Sequence, residues 1–121
     1  MYLHLKFSLL NLILRYSDIQ ILTIKLYYIC KLYNIMKKYF AEFLGTLFFV
    51  FVIIASGDVL AIGAALTIVV SIIGSISGGH VNPAVTLAMF VKGNLPRADL
   101  LPYILAQVAG GFAAVELNKL V

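Results

Sequence analysis

The apolar piece Pro83–Val91 is long enough to form a helix and too short to cross a membrane. At about 1.5 Å per residue it covers roughly half the hydrocarbon thickness. Its surroundings are themselves apolar. The chain is 63% hydrophobic and 12% charged, with a mean hydropathy of +1.05, too apolar for a soluble domain of 121 residues. From Tyr39 onward three stretches have the make-up of a span, each needing about 20 mostly apolar residues. The first covers about 39–56 with Glu42 as its only charge, and the second about 59–75 with none. The third covers about 100–121, with Glu116 and Lys119 near its far end. A half-length helix cannot leave its backbone end facing lipid, so it must be buried in protein or line a wet cavity. The expected fold class is therefore all-α: a polytopic membrane protein with three transmembrane helices and one re-entrant segment over about 76–91. The alternative for the short piece is a cytoplasmic amphipathic turn.

The start of that piece carries a specific signal. Asn82-Pro83-Ala84 follows a Gly-rich bend, Ser77-Gly78-Gly79. Asn is a preferred N-cap, and Pro suits the first helical position, where its missing N–H costs nothing. A capping Asn82 is expected to accept from the N–H of Val85 and leave its amide N–H₂ free. At the positive end of a half-helix in a membrane, such a donor can hold a water or hydroxyl and oppose a cation. In a soluble protein the triplet would be only a helix start. Gly78 and Gly79 suit a tight re-entrant bend because they permit backbone geometry other residues avoid.

Charge placement sets an expected orientation. Lys37 and Lys38 precede the first span, Lys92 and Arg97 precede the third, and the Gly57-Asp58 turn carries no Lys or Arg. By the positive-inside rule the Lys37 and Lys92 segments are cytoplasmic, and the loop with Asn82 enters from that side. The net charge of +4 thus reads as topology. No basic-aromatic patch or phosphate-cradling loop points to nucleic acid. No nucleophile–base constellation or metal-ligand spacing suggests an enzyme, a metal site or a cofactor. Cys30 is the only cysteine, so no internal disulfide is expected.

Residues 1–35 differ from the rest. Tyr, Leu, Ile, Lys and Asn dominate, Lys25 and Lys31 interrupt any span, and the apolar run Leu9–Leu14 is too short for a secretory signal. The stretch reads either as a basic, Tyr-rich segment lying on the inner leaflet or as sequence upstream of a true start at Met36. The second reading is preferred.

From Met36 onward the chain resembles the first half of an aquaporin or aquaglyceroporin, the major intrinsic protein family. Ala41-Glu42-Phe43-Leu44-Gly45-Thr46 is similar to its first-helix opening, and Ser77 through Ala88 to its signature loop. Leu101-Pro102-Tyr103, Ala106-Gln107 and Gly110-Gly111 are similar to its third helix. The resemblance implies a bundle of six helices in two inverted repeats, of which residues 36–121 form the first. It also implies assembly as a homo-tetramer and passive passage of water or small neutral solutes such as glycerol. In the family two Asn-Pro-Ala half-helices meet near the midplane, and an Arg follows the second. This sequence holds neither the second loop nor that Arg, so the expected object is an incomplete half of a channel.

Carried over residue by residue, the pore-lining positions are Asn82, Pro83, Ala84, His80, Val81, Gly78 and Gly79. His80 is expected at the cytoplasmic mouth, and Gly78 through Val81 would offer backbone carbonyls. Twenty residues before Asn82, Ile62 takes the place of a constriction residue that is often aromatic in strict water channels, which hints at a wider filter. Glu42, a carboxylate inside an apolar span, is a functional candidate by default. The resemblance makes it a scaffold for the re-entrant loop, with Gln107 as a second strut. Gly45, Gly74, Gly110 and Gly111 read as close helix approaches.

Two other readings remain. One is a non-conducting membrane half-protein or partner subunit of a related channel. The other is an active transporter or ion channel using the same half-helix device, which the lack of ionisable pairs within the spans disfavours.

Overall fold

A computed structural model of the chain describes the backbone from Tyr2 to Val121 and the side chains from Leu14 onward. The described residues are all helical or loop, in the order α1 (Tyr2–Ser56), α2 (Val59–Ser77), α3 (Pro83–Val91) and α4 (Arg97–Asn118). Helices α1, α2 and α4 are long and apolar enough to cross a membrane. The chain divides into two units, Met1–Ile35 and Met36–Val121.

In the first unit the side chains from Leu14 to Asn34 are exposed, Lys25 and Lys31 among them. Tyr27 and Tyr28 pack edge to face, their ring centroids 5.7 Å apart. Most of the Leu9–Leu14 run lies outside the described side chains.

The second unit is built by helix ends as much as by helix faces. Gly57 ends α1 with φ +61°, its N–H reaching the Ile53 carbonyl at 3.3 Å. Asp58 then caps α2 by accepting from Ala61 at 2.8 Å, so the short turn needs no longer loop. At the other end of α2, Gly78 takes the left-handed conformation (φ +93°) and donates its N–H to the Gly74 carbonyl. This stop turns the chain back toward α1 instead of letting it run on.

Each long helix buries a narrow stripe. On α2 it is Ala65, Val69, Ile73 and Ser77, at every fourth position, and on α4 it is Asp99, Tyr103, Gln107, Gly110 and Ala114. Both spacings keep one face inward at 3.6 residues per turn. The apolar cluster Ala41, Val69, Ile73 and Val81 joins α1, α2 and the loop, with Phe49 packed against it. Two glycines set the separations. A Cβ on Gly45 would lie within 3.0 Å of Ile73, Val81 and Val69, and one on Gly110 would come within 2.4 Å of the Phe43 carbonyl oxygen. Gly74 receives the loop, because a Cβ on Gly79 would meet Val70 Cα at 3.3 Å and Gly74 Cα at 3.5 Å. Gly111 departs from its sequence reading as a close approach: nothing lies within 4 Å of the space its Cβ would take.

The helix bounds also differ from an apolar count. Helix α2 runs through Ser77, whose hydroxyl is bound by Glu42. Helix α4 begins at Arg97, directly after Pro96, with Asp99 buried in its first turn. A hydropathy count penalises both polar residues, and each has a partner that hydropathy cannot register.

Candidate functional site

Between α2 and α3 the chain from Gly78 to Asn82 makes a tight loop, and α3 returns from it as a half-length helix packed on α4. Asn82 caps α3 with extended backbone (φ −158°) and Pro83 in the first turn. Its Oδ1 accepts from the N–H of Ala84 at 2.7 Å, one residue earlier than the Val85 expected from the sequence. Because Pro83 has no N–H, Ala84 supplies the first free donor of the helix. The cap engages the oxygen of the Asn82 side chain and leaves its N–H₂ available. Asn82, Pro83, Ala84 and Gly78 are exposed, whereas Gly79, His80 and Val81 are buried.

Glu42 seats the loop. It is wholly buried on α1, and each of its oxygens accepts two hydrogen bonds. Oε1 takes the Ser77 hydroxyl at 2.6 Å and the backbone N–H of His80 at 3.0 Å. Oε2 takes the backbone N–H of Val81 at 2.7 Å and Gln107 Nε2 at 2.8 Å. An ionised carboxylate only accepts, and four donors face it. Burial of the charge is therefore compensated by hydrogen bonds from α2, the loop and α4. Val81 carries φ +41°, a conformation a β-branched residue rarely adopts. Its N–H on Glu42 and its side chain beneath Gly45 hold it there.

Gln107 and Thr86 extend the network to the half-helix. Gln107 Nε2 donates also to Thr86 Oγ1 at 2.7 Å, and that hydroxyl lies 3.2 Å from both Gln107 Oε1 and His80 Nδ1. The Tyr103 hydroxyl donates to the Ser77 carbonyl at 2.8 Å, and its ring centroid lies 5.4 Å from that of His80. One turn nearer the start of α4, Asp99 accepts from Tyr39 at 2.7 Å and pairs with Lys38 at 2.5 Å, tying the first turn of α4 to α1.

The structure thus brings Glu42, Gln107, His80, Val81, Gly78 and Gly79 together around the base of α3. It does not bring Ile62 there. Ile62 is half-buried in the first turn of α2, roughly 20 Å along that helix from Ser77. Sequence reasoning assigned no role to Ser77, Thr86, Tyr103, Asp99 or Tyr39. A signal for two of them was present: Asp99 and Tyr103 recur with Gln107 at every fourth residue, marking one polar stripe on an apolar helix. Among the described residues no cluster of His, Cys, Asp or Glu is placed to hold a metal ion. Thr46 Oγ1, at the crossing closed by Gly110, is buried without a hydrogen-bond partner among the described residues.

Three apolar helices around a re-entrant half-helix, its end capped by Asn82 and its loop tied to a buried carboxylate, define an integral, multi-pass membrane protein. The family described as Major intrinsic protein matches residues 30–121, and the chain belongs to it. The family is one of membrane channels, not of enzymes. Among similar proteins, glycerol uptake facilitator protein-like 6 of Lactiplantibacillus plantarum is 49% identical over 93 residues, covering 69% of this chain and 43% of the relative. Aquaporin Z of Brucella melitensis is 40% identical over 97 residues, covering 68% and 42%. Aquaglyceroporin AqpS of Rhizobium meliloti is 35% identical over 104 residues, covering 73% and 45%. The chain therefore spans less than half the length of these curated relatives.

Proposed function

We propose that residues 36–121 form one repeat of a passive channel for water and small neutral solutes such as glycerol. The observation that carries this is the state of Asn82. Its oxygen is engaged by Ala84, so the exposed end of α3 presents an N–H₂ donor at the positive pole of a half-helix. Such an end orients an uncharged hydroxyl by its oxygen and opposes a cation. Pro83 and Ala84 flank the donor, and the carbonyls of Gly78 through Val81 would supply acceptors along the loop. The Glu42 network is a scaffold, because all its hydrogen-bonding capacity goes to the chain itself.

Family membership supports the channel class, and the names of its relatives cover both water and glycerol. Ile62, an aliphatic residue in the first turn of α2, favours glycerol alongside water. The pore is proposed to need a second repeat, and the conducting assembly to be a homo-tetramer in the bilayer. The alternative is a non-conducting half-protein or a partner subunit. Proteoliposomes test this. The chain is reconstituted alone and with a second repeat from an intact relative, and water and glycerol uptake are followed by light scattering. Solute uptake that appears with the pair and falls for glycerol in Ile62→Phe supports the channel. No uptake in any combination leaves the non-conducting reading in its place.

A further inference from the structure

We infer that Glu42, acting through Gln107 and Thr86, sets the tautomer of His80, so that Nδ1 carries the proton and Nε2 presents a lone pair beside Gly78. The order of donors can be followed from one end to the other. The Gln107 amide cannot be turned over, since Oε1 would then face the Glu42 carboxylate where Nε2 now donates at 2.8 Å. With the amide so placed, its second N–H goes to Thr86 Oγ1 at 2.7 Å. Thr86 has one hydroxyl hydrogen and two acceptors in reach, Gln107 Oε1 and His80 Nδ1, each at 3.2 Å. Burial decides between them. Gln107 is 1% exposed and its Oε1 has no other partner among the described residues, so giving the hydrogen to His80 would orphan a buried carbonyl. Giving it to Gln107 satisfies that carbonyl and leaves Oγ1 as an acceptor for an Nδ1–H.

The consequence falls on the other ring nitrogen. A Cβ on Gly78 would lie 3.1 Å from His80 Nε2, and Gly78 is exposed. The free nitrogen of a neutral Nδ1–H imidazole is an acceptor. His80 therefore adds a side-chain acceptor next to the loop carbonyls, while Asn82 supplies the donor. A hydroxyl meeting both would be asked to donate at His80 and accept at Asn82. Thr86 is a positioning residue in this scheme. The pore consequence rests on the channel reading above, but the tautomer itself does not.

Nitrogen NMR tests it in the folded chain. The sequence has two histidines, so His4→Gln leaves His80 as the one imidazole. The variant, labelled with ¹⁵N-histidine, is reconstituted in phosphatidylcholine bilayers well above the ordinary imidazole pKa of about 6.5. The expected spectrum has a protonated Nδ1 and a bare Nε2, with that form in excess by roughly tenfold or more. Adding Thr86→Val should abolish the excess, and Thr86→Ser should restore it. A dominant Nε2–H form in the His4→Gln protein overturns the inference, as does an unchanged ratio in Thr86→Val. Should Thr86→Val fail to fold, the spectrum of His4→Gln decides alone. Uptake assays are read separately: an Nδ1–H imidazole in a protein that conducts nothing upholds the tautomer and defeats only the channel reading.

Discussion

Gly110 on α4 lies so close to Phe43 on α1 that any β-carbon there would sit 2.4 Å from the Phe43 carbonyl oxygen. Leu47 N and Thr46 Cβ stand at 3.1 and 3.2 Å from the same point, so the neighbour is mostly backbone and cannot turn aside. Gly110→Ala should push the two helices apart and cost about 1–3 kcal/mol, the usual range for overpacking. Gly111→Ala, facing open space, should stay within about 0.5 kcal/mol. Denaturant unfolding in micelles, followed by circular dichroism, compares them directly. Equal midpoints for the two variants would show that the crossing has room for a methyl group.

Glu42 offers a graded test. Glu42→Gln replaces one accepting oxygen by an N–H₂ that faces existing donors, at a cost of about 1–3 kcal/mol. Glu42→Ala strands Ser77, His80 N–H, Val81 N–H and Gln107 together, and breaking a buried charged network of this kind costs about 3–5 kcal/mol. The same unfolding assay should rank alanine well below glutamine. If Glu42→Ala is no worse than the exposed Glu116→Ala, the carboxylate does not hold the loop.

Asn82 separates capping from conduction. Asn82→Ala should lose the cap, about 1 kcal/mol, along with the donor. Asn82→Asp keeps an accepting oxygen for Ala84 and adds a favourable anion at the helix N-terminus, so stability should hold or rise slightly. In an assembly that conducts, the aspartate should nevertheless reduce glycerol and water uptake and admit cations. Light-scattering uptake and a cation-flux assay on the same vesicles give both readings. Wild-type permeation in Asn82→Asp would remove Asn82 from the pore.

Asp99 should matter less than Glu42 despite its ion pair. Lys38 and Tyr39 lie where α1 and the first turn of α4 meet, and Lys38 can extend toward water when released. Asp99→Asn is expected to cost about 1 kcal/mol, below Glu42→Gln. Unfolding midpoints that reverse this order would mean that the pair is more enclosed than its partial burial indicates.

Most of the helical frame was legible from the sequence because membranes impose coarse rules. Span length, the undersized Pro83–Val91 piece and the Asn82-Pro83 start each follow from one physical constraint. What hydropathy could not read was pairing. Ser77 and Asp99 look like span boundaries to a hydropathy count, and only Glu42, Lys38 and Tyr39 in space turn them into interior residues. Thr86 was visible within the signature loop, yet nothing local reveals that it stands between Gln107 and His80. Gly111 errs the other way. It shares a dipeptide with Gly110, but one step around the helix turns it away from the α1 crossing.

The four donors on Glu42 also imply an order of assembly. They come from residues 35, 38, 39 and 65 positions further along the chain. When α1 first enters the bilayer its carboxylate has none of them. The loop cannot settle until α2 has been made, and Gln107 arrives only with α4. Gln107 is thus the keystone, set last, and a nascent chain halted before it would hold Glu42 with its socket one donor short.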